Sequence, residues 1–215
     1  MKVKTIMSKD LQVVNPNDKI SQAVSLMSTC KLHRLPVVSE NKLVGLITEK
    51  TVASSSPSKA SSLSIHEMNY LLSKMKVEDI MITNVITIDG EALVEEAAAL
   101  MREQEIGCLP VVNKNNELEG IITTNNVLDA FMDLVGYHQG LSHIEIAIKE
   151  DRIGILKEIS EIFIKHQTNI IRFSVYQEQA KLMIIIISDQ KINSTLIVDL
   201  NKAGYLVVER TMLGK

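Results

Sequence analysis

Lys2-Val3-Lys4-Thr5-Ile6-Met7 returns as Lys76-Val77-Glu78-Asp79-Ile80-Met81, and Leu35-Pro36-Val37-Val38 returns as Leu109-Pro110-Val111-Val112. Both matches share one offset of about 74 residues, too long for a solenoid period and suited to a duplicated small domain. The offset also holds between the landmarks, pairing Ile20, Ala23, Val24 and Met27 with Val94, Ala97, Ala98 and Met101. One residue is inserted before the last match, where Gly45-Leu46-Ile47-Thr48 pairs with Gly120-Ile121-Ile122-Thr123 and Val52 with Val127. A register kept through apolar faces, turns and punctuation marks a duplication.

Within each copy the pattern reads as βαββα. A short extended stretch ends in a turn, Val13-Val14-Asn15-Pro16-Asn17-Asp18 in the first copy and Thr87-Ile88-Asp89-Gly90-Glu91 in the second. Asp18 is placed to cap the helix that follows, whose apolar residues Ile20, Ala23, Val24 and Met27 fall at i, i+3, i+4 and i+7. Leu35 to Val38 and Leu43 to Ile47 then form a strand pair around Ser39 to Lys42, with Asn113 to Asn116 at the same turn in the second copy. One such unit has little surface to bury alone, so the two copies are expected to pack as one module. Ala53 to Ser62, rich in Ser and containing Pro57, reads as a linker. A helix is expected next, over Ser64 to Met75, with Ile65, Met68, Leu71, Leu72 and Met75 on one stripe.

The chain from about Ser142 onward does not share the repeat. Ser142 to Ile148 alternates like a strand, and Asp151 is expected to open a helix with Ile155, Ile159, Ile162 and Phe163 on its apolar face. Ile170 to Tyr176 and Leu182 to Ile187 read as a strand pair turning at Gln177 to Ala180. A helix with Leu196, Ile197 and Leu200 follows, stopped by Gly204, and Tyr205 to Val208 closes as a strand. The order βαββαβ is the split arrangement of a ferredoxin-like sandwich, with Gly136 to Gly140 as the joint before it. The fold class is therefore α/β in the mixed, α+β sense.

Composition narrows the function classes. The 46% hydrophobic content is that of a packed globular chain. Cys30 and Cys108, with no Cys-x-x-Cys pair, support neither a disulfide framework nor a structural zinc site. A net charge of -3 with interspersed signs and an aromatic content of 3% give no footprint for nucleic acid. The longest apolar run, Leu182 to Ile187, is far short of a spanning helix and no secretory leader pattern opens the chain, so a cytoplasmic protein without a membrane partner is expected.

No Gly-x-Ser-x-Gly, phosphate-binding loop, Gly-x-Gly-x-x-Gly or His-Glu-x-x-His occurs, so the expectation is a protein that is not an enzyme, with no metal and no required cofactor. The five histidines are scattered, and Glu95-Glu96 and Asp129 with Asp133 read as solvated helix faces. What remains is binding. Thr48 and Thr123 each stand where a strand runs into a helix, where unpaired backbone N–H groups favour an anion such as phosphate. The competing reading is that these hydroxyls only cap their helices.

Residues 1 to about 135 resemble a tandem pair of CBS domains, through the Ile-Met turn, the Leu-Pro-Val-Val strand and the Gly-apolar-apolar-Thr strand end in both copies. The resemblance implies a pseudo-twofold module with two clefts that take adenosine nucleotides or related ligands: AMP, ADP, ATP, S-adenosylmethionine or a cyclic dinucleotide. In that family a Gly-x-x-Ser/Thr-x-x-Asp motif places a hydroxyl on phosphate and an Asp on ribose; Thr48 and Thr123 match the hydroxyl, while Thr51 and Asn126 stand at the Asp position. The nucleotide contacts implied are Met7, His33, Arg34, Leu35, Pro36, Thr48 and Thr51, and Met81, Thr87, Cys108, Leu109, Pro110, Thr123 and Asn126. His33 and Arg34 precede the Leu-Pro strand in copy one where Gly107 and Cys108 stand in copy two, so the first cleft is expected to prefer a ligand with more phosphate charge.

Residues from about 142 to 213 resemble an ACT domain, with Asp151-Arg152-Ile153-Gly154-Ile155-Leu156 similar to that family's Asp/Asn-Arg-Pro-Gly-x-Leu turn, Ile153 replacing Pro. This implies amino-acid binding through Lys149, Asp151, Gly154 and Asn169, or else a purely dimerising domain. The expected organisation is CBS domain 1 over 1–60, a linker helix over 61–75, CBS domain 2 over 76–135 and ACT over 142–213. The combination resembles the CBS-ACT proteins of the acetoin utilization (AcuB-like) family, which implies a non-catalytic, ligand-sensing homodimer. The alternative is a structural protein with empty clefts that docks onto a partner enzyme.

Overall fold

The computed structural model describes residues 1–55, 74–135, 142–178 and 181–212. Most of the Ser-rich linker and of the helix expected to follow it lies outside the described residues, as do Gly136 to Gly140 and residues 179–180 of the expected turn. The chain divides into two compact units, Met1–Val127 and Leu128–Lys215.

The first unit opens with a single helical turn, α1 (Val3–Ile6), followed by α2 (Ile20–Cys30) and the hairpin β1 (Arg34–Ser39) and β2 (Lys42–Thr48), which leads into α3 (Glu49–Ser55). The second copy runs β3 (Ile88–Asp89), α4 (Val94–Glu103), β4 (Cys108–Val112), β5 (Leu118–Thr123) and α5 (Thr124–Val135). β1 and β2 pair antiparallel; β4 pairs antiparallel with β5 and parallel with β3. The copy-one equivalent of β3 is a single parallel bridge between Val14 and Val37. Glu40 and Asn41 both have positive φ, 48° and 63°, which suits the tight hairpin between β1 and β2. The inserted residue lengthens the corresponding turn in copy two.

Three local expectations are corrected. Lys19, not Asp18, is the N-cap of α2: the Asp18 carboxylate accepts from the Asn15 N–H at 2.7 Å, and Gln22 Oε1 takes the Lys19 N–H instead. Asp18 is thus used in closing the turn before the helix. Val24 is 40% exposed while Ile20, Ala23 and Met27 are buried, so the apolar stripe of α2 is narrower than expected. Ala53 to Ser55 belong to the end of α3 rather than to the linker, with the Ser54 hydroxyl donating to the Lys50 carbonyl at 2.8 Å.

Packing does not follow the sequence period. The segment that begins copy one is built into copy two: Val3 N–H bonds to Ala92 O and Lys4 N–H to Gly90 O, both at 2.9 Å, and Ser8 bridges Ile121. Val3 is fully buried in a core with Ala97, Met101, Leu109, Val111 and Ile122. Reciprocally, Val77 is fully buried with Val14, Ala23, Met27, Leu35, Val37 and Ile47, and Ile82 bridges Leu46. Glycines permit the exchange. A Cβ on Gly45 would stand 3.0 Å from Met81 Cγ and 3.1 Å from Ile82 O, and one on Gly120 would stand 2.9 Å from Met7 Cγ and 3.0 Å from Ser8 O. Lys2 and Lys4 both pair with Glu91, and their hydrogen bonds hold its carboxyl down to about 2.

The second unit contains β6 (Ser142–Ile148), α6 (Ile155–Lys165), β7 (Arg172–Glu178), β8 (Lys181–Ser188), α7 (Ser194–Lys202) and β9 (Leu206–Met212). Its sheet has the order β7-β8-β6-β9 with every pair antiparallel, the ferredoxin-like βαββαβ arrangement. Alternate residues Ile144, Ile146 and Ile148 of β6 meet Ile155, Ile159 and Phe163 of α6 and Leu196 and Leu200 of α7 in one core. α6 begins later than expected. Gly154, at φ +99°, is its N-cap, and Asp151 to Ile153 form the loop that leads to it. Asn193 caps α7 by accepting the Leu196 N–H at 2.8 Å, and Gly204, at φ +91°, lies beyond its end.

Candidate functional site

The pseudo-twofold arrangement of the first unit produces two clefts, each built from both copies. One, of about 300 Å³, is lined by Ser8, Asp10, Leu11, Gln12, Lys31 to Arg34 and Pro36 from copy one and by Gly107, Ile121 and Thr123 to Asn125 from copy two. The other, of about 450 Å³, is lined by Ile82, Asn84 to Ile86 and Glu105 to Cys108 from copy two and by His33, Arg34, Leu46 and Thr48 to Lys50 from copy one. Each cleft therefore joins the strand-to-helix corner of one copy to the turn before the first hairpin strand of the other.

Thr48 and Thr123 reach those corners as helix caps. Thr48 Oγ1 accepts the Thr51 N–H at 3.1 Å, and Thr51 Oγ1 accepts the Thr48 N–H at 3.0 Å while donating to the Thr48 carbonyl at 2.9 Å. In copy two, Asn126 Oδ1 accepts from both the N–H and the hydroxyl of Thr123, at 2.9 and 2.8 Å. The capping reading thus describes all four side chains, and the cleft linings pass Thr48 and Thr123 but stop short of Thr51 and Asn126. Thr123→Ala and Thr48→Ala are each expected to cost about 1 kcal/mol of stability without any ligand, read from urea unfolding midpoints. Unchanged midpoints would show that the caps contribute nothing.

The linings differ in charge. The Thr123 cleft holds Lys31 and Arg34 against Asp10; the Thr48 cleft holds Arg34 and Lys50 against Glu49 and Glu105. His33, expected to add phosphate-binding charge to the first cleft, lies on both linings with its ring Nδ1 2.9 Å from Glu49 Oε2. Arg34 also lies on both linings, and among the described residues it forms no ion pair.

Of the other expected contacts, Pro36 lines the Thr123 cleft and Cys108 the Thr48 cleft. Leu35 and Leu109 are fully buried in the two cores, and Pro110 is buried on β4. Met7 and Met81 pack over Gly120 and Gly45. Thr87 is half-buried, one residue beyond the Asn84 to Ile86 lining. Sequence reasoning missed Asp10, Lys31, Lys50 and Glu105. Their signal lay in reading each turn against the other copy's strand end, because the clefts are assembled across the repeat.

In the second unit Lys149, Asp151, Gly154 and Asn169 are all exposed. Arg152 in the same loop makes two hydrogen bonds of 2.6 Å to the Glu158 carboxylate, to which the Tyr205 hydroxyl also donates. Arg152 and then Tyr205 hold the Glu158 carboxyl down to about 2, while burial and Glu158 push the Tyr205 phenol up to about 12. The loop's guanidinium is thereby engaged within the chain. Among the described residues no helix is long and apolar enough to cross a membrane, and no group of three or more His, Cys, Asp or Glu could hold a metal ion.

The family model for the CBS domain matches residues 3–57 and 77–133. A homoserine O-acetyltransferase of Methanococcus vannielii is 37% identical over 126 residues, 58% of this chain but 24% of its own length, so the chain spans about a quarter of that relative. Among solved structures, CBSX2 in complex with AMP is 28% identical with a TM-score of 0.52, covering 61% of this chain and 96% of its own. The CBS domain pair of MJ0100, solved with 5'-methylthioadenosine and S-adenosyl-L-methionine, is 29% identical with a TM-score of 0.50, covering 61% and 99%. A Vibrio cholerae protein named for acetoin utilization, AcuB, is 26% identical with a TM-score of 0.54, covering 63% and 93%.

Proposed function

The chain belongs to the CBS domain family, and from that premise we propose that it is a non-catalytic regulatory sensor whose two clefts bind an adenosine nucleotide or related ligand. The observation that carries this reading is the pair of clefts related by the repeat, each bringing a strand-end threonine from one copy to a turn from the other, with Arg34 on both linings. The AMP named with CBSX2 and the 5'-methylthioadenosine and S-adenosyl-L-methionine named with the MJ0100 pair support adenosine chemistry. A ligand acts here by binding one arrangement of the two copies better than another.

In this reading the second unit is an ACT domain. Its βαββαβ order and the exposed Lys149, Asp151, Gly154 and Asn169 support an amino-acid site or a dimerising role. Leu128, Phe131 and Leu134, spaced by three along α5 and each more than half exposed, support a homodimer. The name of the AcuB structure supports a role in acetoin utilization or its regulation; a partner enzyme and a cytoplasmic setting belong to the same proposal.

A second reading, a docking protein with empty clefts, is favoured by Thr51 and Asn126: both use their side chains in capping and stand outside the linings. Thermal-shift and calorimetric titration with AMP, ADP, ATP, S-adenosylmethionine, cyclic dinucleotides and single amino acids separates the two. A ligand present at 100 times its dissociation constant stabilises the folded chain by about 2.7 kcal/mol, a rise in melting temperature of several degrees. No rise with any ligand at millimolar concentration selects the second reading.

A further inference from the structure

The two clefts share one cation. Arg34 lines both, as do His33 and Gly107, so the clefts meet at this point. Arg34 is half-buried as a residue, and its guanidinium lies over Gly107, with Nη1 and Nη2 3.5 and 3.6 Å from where a Cβ would stand on that glycine. Among the described residues no carboxylate pairs with it, whereas the neighbouring His33 ring is held by Glu49. A symmetric module would carry a second such cation at the equivalent position, but Cys108 stands there, 5% exposed. Glu105 likewise takes the place of Lys31, which leaves the Thr48 cleft with two carboxylates against Arg34 and Lys50.

We infer that Arg34 couples the two clefts antagonistically toward phosphate-bearing ligands: a phosphate held by its guanidinium from one cleft weakens phosphate binding in the other. The inference rests on the adenosine-nucleotide reading and adds its regulation. A guanidinium is a rigid planar fork, and its strong recognition of phosphate is bidentate, so orientation toward one anion removes that geometry from the other. The first phosphate also neutralises the positive charge that would draw in the second. The coupling is reciprocal, because linkage requires each ligand to weaken the other by the same factor. Adenosine, which carries no phosphate, makes no such demand on Arg34. With Lys31 and a single carboxylate on its lining, the Thr123 cleft fills first.

The test uses the full chain, with the methyl groups of Ile121 and Ile86 as separate NMR reporters of the Thr123 and Thr48 clefts. In AMP titrations the Ile121 signal is expected to saturate first, and filling of the Thr123 cleft to weaken the Thr48 cleft about tenfold, within the usual range of allosteric coupling. Adenosine should fill the two clefts with a coupling factor near one. Arg34→Gln should weaken AMP at both reporters and bring its coupling factor to one; Arg34→Lys, which keeps the charge but not the fork, should retain binding at both with reduced coupling. Independent filling by AMP in the unmodified chain, or an Arg34→Gln effect confined to one reporter, overturns the inference. If adenosine or S-adenosylmethionine shifts the reporters and AMP does not, the inference fails while the sensor reading stands. If no adenosine ligand shifts either reporter, both fail.

Discussion

Replacing Val3 by Ala is expected to weaken the second repeat copy and not the first, by about 2 kcal/mol, and Val77→Ala to do the reverse. Both valines are fully buried, and each loses two methyl groups from a core formed by the other copy's helix and hairpin. Backbone bonds from Val3 to Ala92 and from Val77 to Asp18 keep the segments in place, so the neighbouring chain closes around the vacated volume only partially. Hydrogen exchange separates the outcomes. Val3→Ala should reduce protection in α4, β4 and β5, and Val77→Ala in α2, β1 and β2. Loss of protection in the copy that contains each residue by sequence would refute the exchange of segments.

Phe163→Ala is expected to have a larger effect, about 3–5 kcal/mol, because it leaves a cavity in the centre of the second unit. Phe163 is 1% exposed and belongs to the cluster that holds Ile144, Ile146, Ile159, Ile184 and Ile186. The next residue is the control: Ile164 is 72% exposed on the same helix, and Ile164→Ala should stay within about 0.5 kcal/mol. Urea unfolding followed by hydrogen exchange in β6 and β8 measures both. Equal losses at the two positions would contradict the helix register on which this core depends.

Much of the fold was legible because burial imposes a period. The alternation of Ser142 to Ile148 became strand β6 with Ile144, Ile146 and Ile148 inward, and Ile155, Ile159 and Phe163 became the buried stripe of α6. Helix starts were less legible, since several polar groups near a helix end compete for the same backbone donors. Asp18 is chemically suited to cap α2 but bonds to Asn15, and Asp151 precedes a glycine whose left-handed backbone begins α6 three residues later. Thr48 and Thr123 were visible as candidate site residues because the duplication marks them twice. Asp10, Lys31, Lys50 and Glu105 were not, because only packing of one copy against the other gives them a common cleft.

By itself the sequence determined that the chain is duplicated, which stripe of each periodic element faces the core, and where the copies differ in chemistry. Those are local properties, written in the period of apolar residues and in the identity of each side chain. Tertiary structure decided that Val3 and Val77 are buried in each other's copies and that His33 and Arg34 border both clefts rather than the first alone. It also decided that Thr51 and Asn126 turn inward to cap their helices. The physical reason is that a repeat too small to bury its own core completes it with a segment of its twin, and pairing across that boundary is not encoded in sequence spacing.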